Sequence, residues 1–286
     1  MTTEAYFLHR PARQTTPVVF ASPHSGRDYP AEFLRQSLLD AKTIRSSEDA
    51  FVDRLFDMAP RHGAPLLAAR APRAYIDMNR AADELDPALV DGIARAPHNP
   101  RISSGLGVVP RVVAGGRAIY SGKLTSAQAT ERISRFWHPY HDALKALMAE
   151  SESLFGQAIL IDCHSMPHEA IDSHARPNQP RPEVVLGDRF GAAAGRDVMD
   201  RVEAAFCNAG LRVARNAPFA GAYIAQAYGH PSRGRHVVQV EIDRSLYMDE
   251  VQIRPNPDFA AFRDLIGGVV AEILGTDAVR LPHAAE

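Results

Sequence analysis

The stretch ILIDCHSMP, residues 159–167, is an apolar run that ends on an aspartate, a cysteine and a histidine before it meets a proline. A continuous apolar run of this length is typical of a strand that is covered on both faces of a parallel sheet. In open α/β sheets, catalytic and binding groups lie just beyond the carboxyl ends of such strands. The stretch therefore predicts an α/β fold with His164 at the edge of the sheet where function is found.

A second apolar run ends in nearly the same way. Residues 17–26 read PVVFASPHSG, which places His24 in the turn after another predicted strand. Either histidine alone fits a structural role as well as a functional one. Two histidines at neighbouring strand ends match a catalytic zinc site, in which three imidazole or carboxylate ligands leave one position for water. We therefore predict that His24 and His164 bind a metal ion.

Strand-like and helix-like segments alternate along the rest of the chain. Strands are predicted at 17–22, 65–70, 74–78, 108–113, 158–163, 183–187, 211–215 and 236–243, and helices at 30–39, 48–61, 125–154, 188–209 and 257–274. The Pro-rich stretches 96–101 and 177–182 are predicted surface loops. The pattern favours a single α/β domain over residues 1–286, with a mixed, largely parallel central sheet flanked by helices.

Composition excludes several classes of partner. The 286 residues are 45% hydrophobic and 23% charged, as in ordinary globular proteins, and the formal net charge of -2 predicts no nucleic-acid partner. No apolar run approaches the roughly 20 residues that span a bilayer. The N-terminus lacks the order of a signal peptide, and two cysteines do not make a disulfide scaffold. We expect a cytoplasmic protein, of oligomeric state left open.

The third metal ligand is expected to be an acid. Asp49 and Glu48 begin the predicted helix 48–61, which follows the His24 loop, so either carboxylate could point back toward the strand ends. An acid in this position can also simply cap the helix. Asp162 is two residues from His164 on one strand, and it could accept a hydrogen bond from a histidine N–H instead of binding the metal.

Arginines cluster in RAPRAYIDMNR, residues 70–80. The planar guanidinium of arginine binds a carboxylate through two hydrogen bonds, as lysine cannot. Arg80 and Asn79, just beyond YIDM, are therefore candidates to bind an anionic substrate. The alternative is a surface arginine paired with Asp77 or Asp83.

Two further side chains are candidates for the reaction site. Glu241 lies near the end of the apolar run HVVQVEID, where burial is costly unless the carboxylate has a role or a partner. A glutamate beside an activated water can act as general base and then as general acid. The alternative is a solvent-facing glutamate on an edge strand. Tyr223, in the glycine-containing loop NAPFAGAYI, is a candidate substrate contact.

Five phrases in series resemble the N-formylglutamate amidohydrolase family. They are PHSGRDYP at 23–30, SEDAFVDRLF at 47–56, PRAYIDMNR at 72–80, IDCHSMP at 161–167 and VEIDRSLYMDE at 240–250. The resemblance implies a zinc-carboxypeptidase-like (phosphorylase/hydrolase-like) fold. It also implies hydrolysis of N-formyl-L-glutamate to formate and L-glutamate, in histidine degradation.

The resemblance also implies a ligand set for one zinc ion per chain. His24 and His164 are similar to the two histidines of the carboxypeptidase site. In that site the acid follows the first histidine by three residues, but here the position holds Arg27. The remaining candidates for the acid are, in this order, Asp49, Glu48 and Asp28.

The other carried-over roles concern the substrate. Asn79 and Arg80 look similar to the pair that binds the α-carboxylate, and Glu241 looks similar to the general base. Arg73 is similar to the arginine that polarises the scissile carbonyl. The cations considered for the side-chain carboxylate of the substrate are Arg111 and Lys123.

The sequence thus predicts a metal-dependent amidohydrolase that acts on a small anionic N-acyl amino acid. Two alternatives stay open at this stage. One is a deacylase or carboxypeptidase of the same fold that acts on other amides or short peptides, and the other is a non-enzymatic binding protein that keeps the fold.

Overall fold

A seven-stranded sheet forms the centre of the molecule. The computed structural model describes residues 4–94, 99–174 and 181–275. The strands of the central sheet, in chain order, are β1 (Tyr6–His9), β2 (Val18–Ser22), β3 (Leu66–Ala69), β6 (Ala158–Met166), β7 (Val184–Gly187), β8 (Val213–Arg215) and β9 (Arg235–Asp243). Two small ribbons complete the strands, β4 (Val112–Val113) with β5 (Arg117–Ala118) and β10 (Met248–Asp249) with β11 (Arg254–Pro255).

The sheet is mixed and largely parallel, as the sequence predicted. Its spatial order is β1-β3-β2-β6-β9-β7-β8. The neighbours β3/β2, β2/β6, β6/β9 and β7/β8 are parallel, whereas β1/β3 and β9/β7 are antiparallel. The carboxyl ends of β2, β6 and β9 therefore meet at one edge, in the middle of the sheet.

Helices cover both faces of the sheet. Their bounds are α1 (Ala31–Gln36), α2 (Val52–Leu55), α3 (Pro100–Ser103), α4 (Ser126–Arg132), α5 (His138–Phe155), α6 (Arg196–Asn208), α7 (Tyr223–Tyr228) and α8 (Phe259–Ile273). Helices α4, α5 and α7 pack with one buried cluster of apolar side chains, and α2, α6 and α8 with the other. This double cover explains why β6 is buried at every residue and reads as a continuous apolar run.

The predicted helix 125–154 is confirmed, with one irregularity inside it. Thr125 and Gln128 form a capping box, and the helix ends at Gly156, whose positive φ of 73° suits glycine. A π-helical turn, Ile133–Trp137, joins α4 to α5 without a break. Such turns are often found at functional sites.

Two predicted helices are interrupted by reversals of the backbone. The segment 48–61 is helical only at α2 and in a 3-10 turn, Ala59–His62, because Phe51 adopts a left-handed conformation with φ 67°. The segment 188–209 forms a loop before α6, since Arg189 and Phe190 also have positive φ, 54° and 57°. Periodicity alone does not reveal these reversals, because long-range contacts impose them.

Two predicted strands are wrong, and one strand of the central sheet was missed. Segment 74–78 forms turns, and in 108–113 only Val112–Val113 is extended, in a two-stranded ribbon. The apolar side chains that suggested strands are buried in loops, as Ile76 and Val108 show, each with an exposed fraction of 0%. The missed strand, β1, is an antiparallel edge that is only half buried.

Some predictions concern residues that the structure does not describe. Most of the Pro-rich stretches 96–101 and 177–182 lies outside the described residues. That a single domain spans residues 1–286 stays a prediction. Over residues 4–94, 99–174 and 181–275, none of the helices has the length and apolar character that crossing a bilayer requires.

Candidate metal centre and active site

The two histidines lie together at the carboxyl edge of the sheet. In the register of the parallel strands, Ala21 of β2 lies beside Asp162 of β6, and His164 lies beside Glu241 of β9. His24 follows β2 in a tight loop, and its ring centroid is 4.8 Å from that of His164. The strand ends thus bring two imidazoles and a carboxylate side by side.

Asp49 completes the cluster from the turn before α2. The possible ligand atoms of His24, Asp49 and His164 all lie within 4.8 Å of one another, and all three residues are buried. The Oδ2 atom of Asp49 is 2.9 Å from Nδ1 of His164 and 3.4 Å from Nδ1 of His24. The backbone N–H of Asp49 donates to the carbonyl of His24 at 3.0 Å, and the left-handed Phe51 follows directly.

Glycine is required where the His24 loop passes the end of β3. A Cβ on Gly26 would lie 2.1 Å from the carbonyl oxygen of Ala71. No side chain fits at that distance, so the PHSG phrase reflects close backbone packing as well as chemistry.

A second layer of acids orients both rings. Nε2 of His24 is 2.7 Å from Oδ1 of Asp77, and Nε2 of His164 is 3.0 Å from Oδ2 of Asp162. Each Nε2–H can therefore donate to a carboxylate, which leaves each Nδ1 lone pair directed at Asp49. Asp162 takes the accepting role that its spacing from His164 suggested. Asp77 was missed as a site residue, although it stands inside the quoted phrase PRAYIDMNR.

These residues fit a zinc ion. Nδ1 of His24 is buried and has no hydrogen-bond partner in the described part of the chain. Two imidazole nitrogens and one carboxylate oxygen form a donor set typical of catalytic zinc, and oriented outer carboxylates are its usual companions. An unpaired buried nitrogen facing a carboxylate is costly unless a cation lies between them.

Electrostatics reinforce the cluster. Burial alone would raise the pKa of Asp49, but the hydrogen bond with His164 and the nearby charges of His164 and His24 hold it well below its usual range. Burial likewise opposes the charged form of His164, yet Asp162 and Asp49 raise the pKa of that imidazole well above its usual value. Asp49 is therefore ionised and favours a cation beside it.

Glu241 is a buried carboxylate beside this cluster. Its exposed fraction is 8%, and burial, with a smaller contribution from Asp49, raises its pKa to about 7. The amide of Gln239 donates to Oε1 of Glu241 at 2.9 Å, and Gln239 in turn accepts from the backbone N–H of Ala222 at 3.0 Å. Gln239 was missed by sequence reasoning, although its position two residues before Glu241 placed it on the same face of β9.

A cavity of about 640 Å³ opens onto the cluster and Glu241. Arg73 lines it and donates to Asp77 at 3.1 Å. Arg80 also lines it, with an exposed fraction of only 5%, and donates from Nε to the carbonyl of Leu106 at 3.0 Å. Asn79 lines the cavity too, but its amide lies 3.2 Å from Nε2 of His164 and donates to Oδ2 of Asp162 at 3.4 Å, beside the metal-site histidine.

Two further arginines of the cavity were missed. Arg244, directly after β9, donates from Nη2 to Oδ1 of Asp49 at 2.9 Å and from Nε to Ser165 at 3.1 Å. Arg244 belongs to the phrase VEIDRSLYMDE, so the resemblance could have indicated it as a site residue. Arg101, in α3, lines the cavity near Arg80, and no sequence pattern singled it out.

Several candidates lie elsewhere. Glu48 binds Tyr29 and Arg45, and Asp28 binds Arg70, so neither carboxylate joins the histidines. The candidates Arg111, Lys123 and Tyr223 do not line the cavity. The first pairs with Asp86, the second with Asp91, and Tyr223 packs against the rings of Trp137 and His141.

Fold and site together define an α/β protein with a buried site able to hold a metal ion at the carboxyl ends of its central strands. The chain belongs to the N-formylglutamate amidohydrolase family, whose profile matches residues 16–248. This match confirms the resemblance seen in the sequence.

Named relatives agree with this family membership. The chain is 30% identical over 247 residues to an N-formylglutamate deformylase of Pseudomonas aeruginosa, covering 83% of this chain and 84% of the relative. It is 28% identical to an N-formylglutamate deformylase of Pseudomonas putida, with 82% and 83% covered. A solved N-formylglutamate amidohydrolase from Ralstonia eutropha JMP134 superposes with a TM-score of 0.89 at 34% identity, over 96% of this chain and 98% of that one. A gene product of Agrobacterium tumefaciens, at 16% identity and a TM-score of 0.65 over 96% of each chain, shares the fold.

Proposed function

We propose that this protein hydrolyses the formyl amide of N-formyl-L-glutamate to formate and L-glutamate, and that it uses a zinc ion held by His24, Asp49 and His164. One observation carries the proposal: a buried histidine–aspartate–histidine set lies beside a buried glutamate, at the base of a cavity lined by arginines. The named relatives supply the substrate, since two of them are N-formylglutamate deformylases. The place in histidine degradation stays an expectation from the resemblance.

Zinc in this site would lower the pKa of a coordinated water toward about 7 and polarise the formyl oxygen. The chain itself keeps the ligands ready. Asp77 and Asp162 hold the two imidazoles with their Nδ1 atoms inward, and Arg244 holds the other oxygen of Asp49.

Glu241 moves the proton in this mechanism. Its carboxylate accepts a proton from the attacking water and then donates it to the nitrogen of the departing glutamate. A pKa of about 7 suits both transfers, because the group is then neither too weak a base nor too weak an acid near neutral pH. Gln239 holds one of its oxygens, which leaves the other for the water.

Arg80 is proposed to bind the α-carboxylate of the substrate, and Arg73 to lie beside the scissile carbonyl. Nε and Nη1 of Arg80 donate to the carbonyls of Leu106 and Asn79, so the guanidinium is held in place with Nη2 still available. The amide of Asn79 instead donates to Oδ2 of Asp162 at 3.4 Å, and its oxygen accepts from the backbone N–H of Ile224 at 2.7 Å. We therefore assign Asn79 to positioning Asp162, the carboxylate that orients His164, and its carbonyl to holding the guanidinium of Arg80.

The test is formate release from N-formyl-L-glutamate by the purified protein, measured with and without a chelator. We expect turnover that a chelator abolishes and added zinc restores. N-acetyl-L-glutamate, N-formimino-L-glutamate and short peptides serve as the comparison panel, because a broader deacylase or a carboxypeptidase would prefer one of them. A protein that binds N-formyl-L-glutamate but releases no formate with zinc present would contradict the proposal.

A further inference from the structure

Among the residues that the structure describes, four arginines line the cavity, but they are not equivalent. Arg73 and Arg244 each form an ion pair with a buried aspartate. Arg80 and Arg101 form no ion pair with any carboxylate in the described residues. Arg80 is buried and Arg101 is exposed, and a guanidinium that forms no ion pair with a described carboxylate is suited to bind an anionic ligand.

The backbone holds these two arginines together. The N–H of Leu106 donates to the carbonyl of Arg101 at 2.8 Å, and the carbonyl of Leu106 accepts from Nε of Arg80 at 3.0 Å. Burial lowers the pKa of Arg80, the charge of Asp77 partly opposes this, and the charge of Arg101 lowers it further. Two like charges fixed near one another repel unless an anion lies between or beside them.

The loop that carries Arg101 is anchored rather than loose. The side chain of Asn99 accepts from the N–H of Arg101 at 3.0 Å and donates to Glu84 at 3.1 Å. Arg111 donates to Asp86 at 2.8 Å and to the carbonyl of Ser103 at 3.4 Å. Arg111, expected from the sequence to bind substrate, thus supports the loop that carries a different arginine.

We propose that Arg101 binds the side-chain carboxylate of the substrate and so determines the preference for an acidic N-formyl amino acid. This assignment rests on the proposed function, in which Arg80 binds the α-carboxylate. Arg80 is buried near Asn79, close to the reacting centre, whereas Arg101 is exposed and belongs to the wall of the cavity. The side-chain carboxylate of the substrate is farther from the scissile amide than the α-carboxylate is. It therefore meets Arg101, which is farther from the reacting centre than Arg80.

The test compares N-formyl-L-glutamate with N-formyl-L-glutamine, which is nearly isosteric and lacks the side-chain charge. The wild-type protein should prefer glutamate. Arg101→Gln should lower kcat/KM for N-formyl-L-glutamate by about 10- to 100-fold, the range for losing hydrogen bonds to a charged group. Its kcat/KM for N-formyl-L-glutamine should change little, so the preference collapses, while zinc content stays that of the wild type.

Matched variants make the result specific. Lys123→Gln also removes one positive charge, but Lys123 lies away from the cavity and pairs with Asp91 at 3.4 Å, so its substrate preference should equal that of the wild type. Arg101→Lys should retain part of the preference. An unchanged glutamate-to-glutamine ratio in Arg101→Gln would overturn the assignment and leave the proposed function intact. A wild-type protein that hydrolyses neither compound would overturn both.

Discussion

Asp49 shows at the scale of one residue how the site is assembled. Its Oδ2 faces the Nδ1 atoms of His24 and His164, while its Oδ1 accepts from Arg244 at 2.9 Å. A carboxylate with an exposed fraction of 1% is costly to bury without such partners. Glu48, its neighbour in sequence, points instead to Tyr29 at 2.6 Å. One step along the chain separates a candidate ligand from a structural acid.

The first prediction distinguishes these two acids. Asp49→Ala should remove a ligand and abolish both zinc retention and formate release, as should His24→Ala or His164→Ala. Glu48→Ala should retain zinc, because its partners are Tyr29 and Arg45. The measurement is metal content of the folded variants after dialysis without chelator. Full zinc occupancy in Asp49→Ala would exclude Asp49 as a ligand.

The second prediction concerns Glu241. Glu241→Gln is nearly isosteric, so packing and zinc content should survive, while kcat should fall by about 100-fold or more, the usual scale for a positioned acid–base group. KM should change little, because the carboxylate acts mainly in the transition state. Steady-state kinetics and metal analysis check both parts.

Two outcomes would contradict this role for Glu241. Loss of zinc from Glu241→Gln would make the residue a ligand. Near-normal turnover would place the base elsewhere. Gln239→Leu offers a related measurement, since it removes the amide that orients Oε1 and should lower kcat less than Glu241→Gln does.

At the scale of secondary structure, the π-helical turn Ile133–Trp137 positions the segment that carries Arg80. Arg132 donates to the carbonyl of Tyr75 at 3.2 Å, and the indole of Trp137 donates to the carbonyl of Arg80 at 2.9 Å. A regular α-helix would rotate residues five positions apart onto different faces. The π turn adds a residue and so lets both side chains reach one loop of the active site.

His141, one turn further along α5, continues this support. Its Nε2 is 2.9 Å from the carbonyl of Met78, and its Nδ1 is 2.7 Å from the hydroxyl of Tyr228. Burial lowers the pKa of His141 to about 3, so the ring is neutral near neutral pH and donates from Nε2 to the carbonyl. Side chains of this helical segment thus hold the loop that carries Met78 and Arg80, which contains neither strand nor helix.

The third prediction tests this support. Trp137→Phe removes the indole N–H and leaves the buried carbonyl of Arg80 without that donor, a change that costs about 1–3 kcal/mol. We expect a KM for N-formyl-L-glutamate that rises by about tenfold, with zinc content unchanged, because the Arg80 guanidinium shifts and the metal ligands do not.

Tyr140→Phe is the matched control for Trp137→Phe. It removes a hydroxyl from the same helix, and that hydroxyl has no hydrogen-bond partner among the residues described. Its KM should equal that of the wild type. An unchanged KM in Trp137→Phe would show that the carbonyl contact does not position Arg80.

At the scale of the whole molecule, the metal site links stability to pH. Without metal, the raised pKa of His164 contributes stability that is fully present below the ordinary value of about 6.5 and is lost as pH rises through the folded-state pKa. Zinc requires the unprotonated ring, so its contribution to stability increases as the proton leaves. A rise in pH therefore removes stability from the metal-free protein and increases the stability that zinc adds.

The fourth prediction follows from this opposition. A chelator should lower the midpoint of thermal unfolding, because zinc binds the folded chain and stabilises it by mass action. The decrease should be larger at about pH 8 than at about pH 6, since protonation of His164 competes with zinc at the lower pH. Calorimetry with and without chelator at both pH values measures the difference. A decrease that is independent of pH would mean that zinc does not displace a proton from His164.

Local patterns in the sequence were sufficient for the central strands and for the side chains at their ends. Strands β2, β6 and β9 are continuous apolar runs because both faces of the sheet are covered. Burial on both faces requires apolar residues, and these are visible in the sequence. His24, His164 and Glu241 could be identified because a polar group at the end of such a run is costly without a function. The helix 125–154 had its cap, its periodicity and its terminal glycine in the sequence.

Only the tertiary structure decided which partner each of these groups has. Asp49 rather than Glu48 joins the histidines because Phe51 turns left-handed and His164 approaches from 115 positions further along the chain. Arg101, and not Arg111, lines the cavity because Asp86 pairs with the latter. Such choices depend on contacts between residues far apart in sequence, and local propensity carries no information about them. The sequence by itself therefore determined which groups are candidates for the chemistry, and folding determined which of them meet.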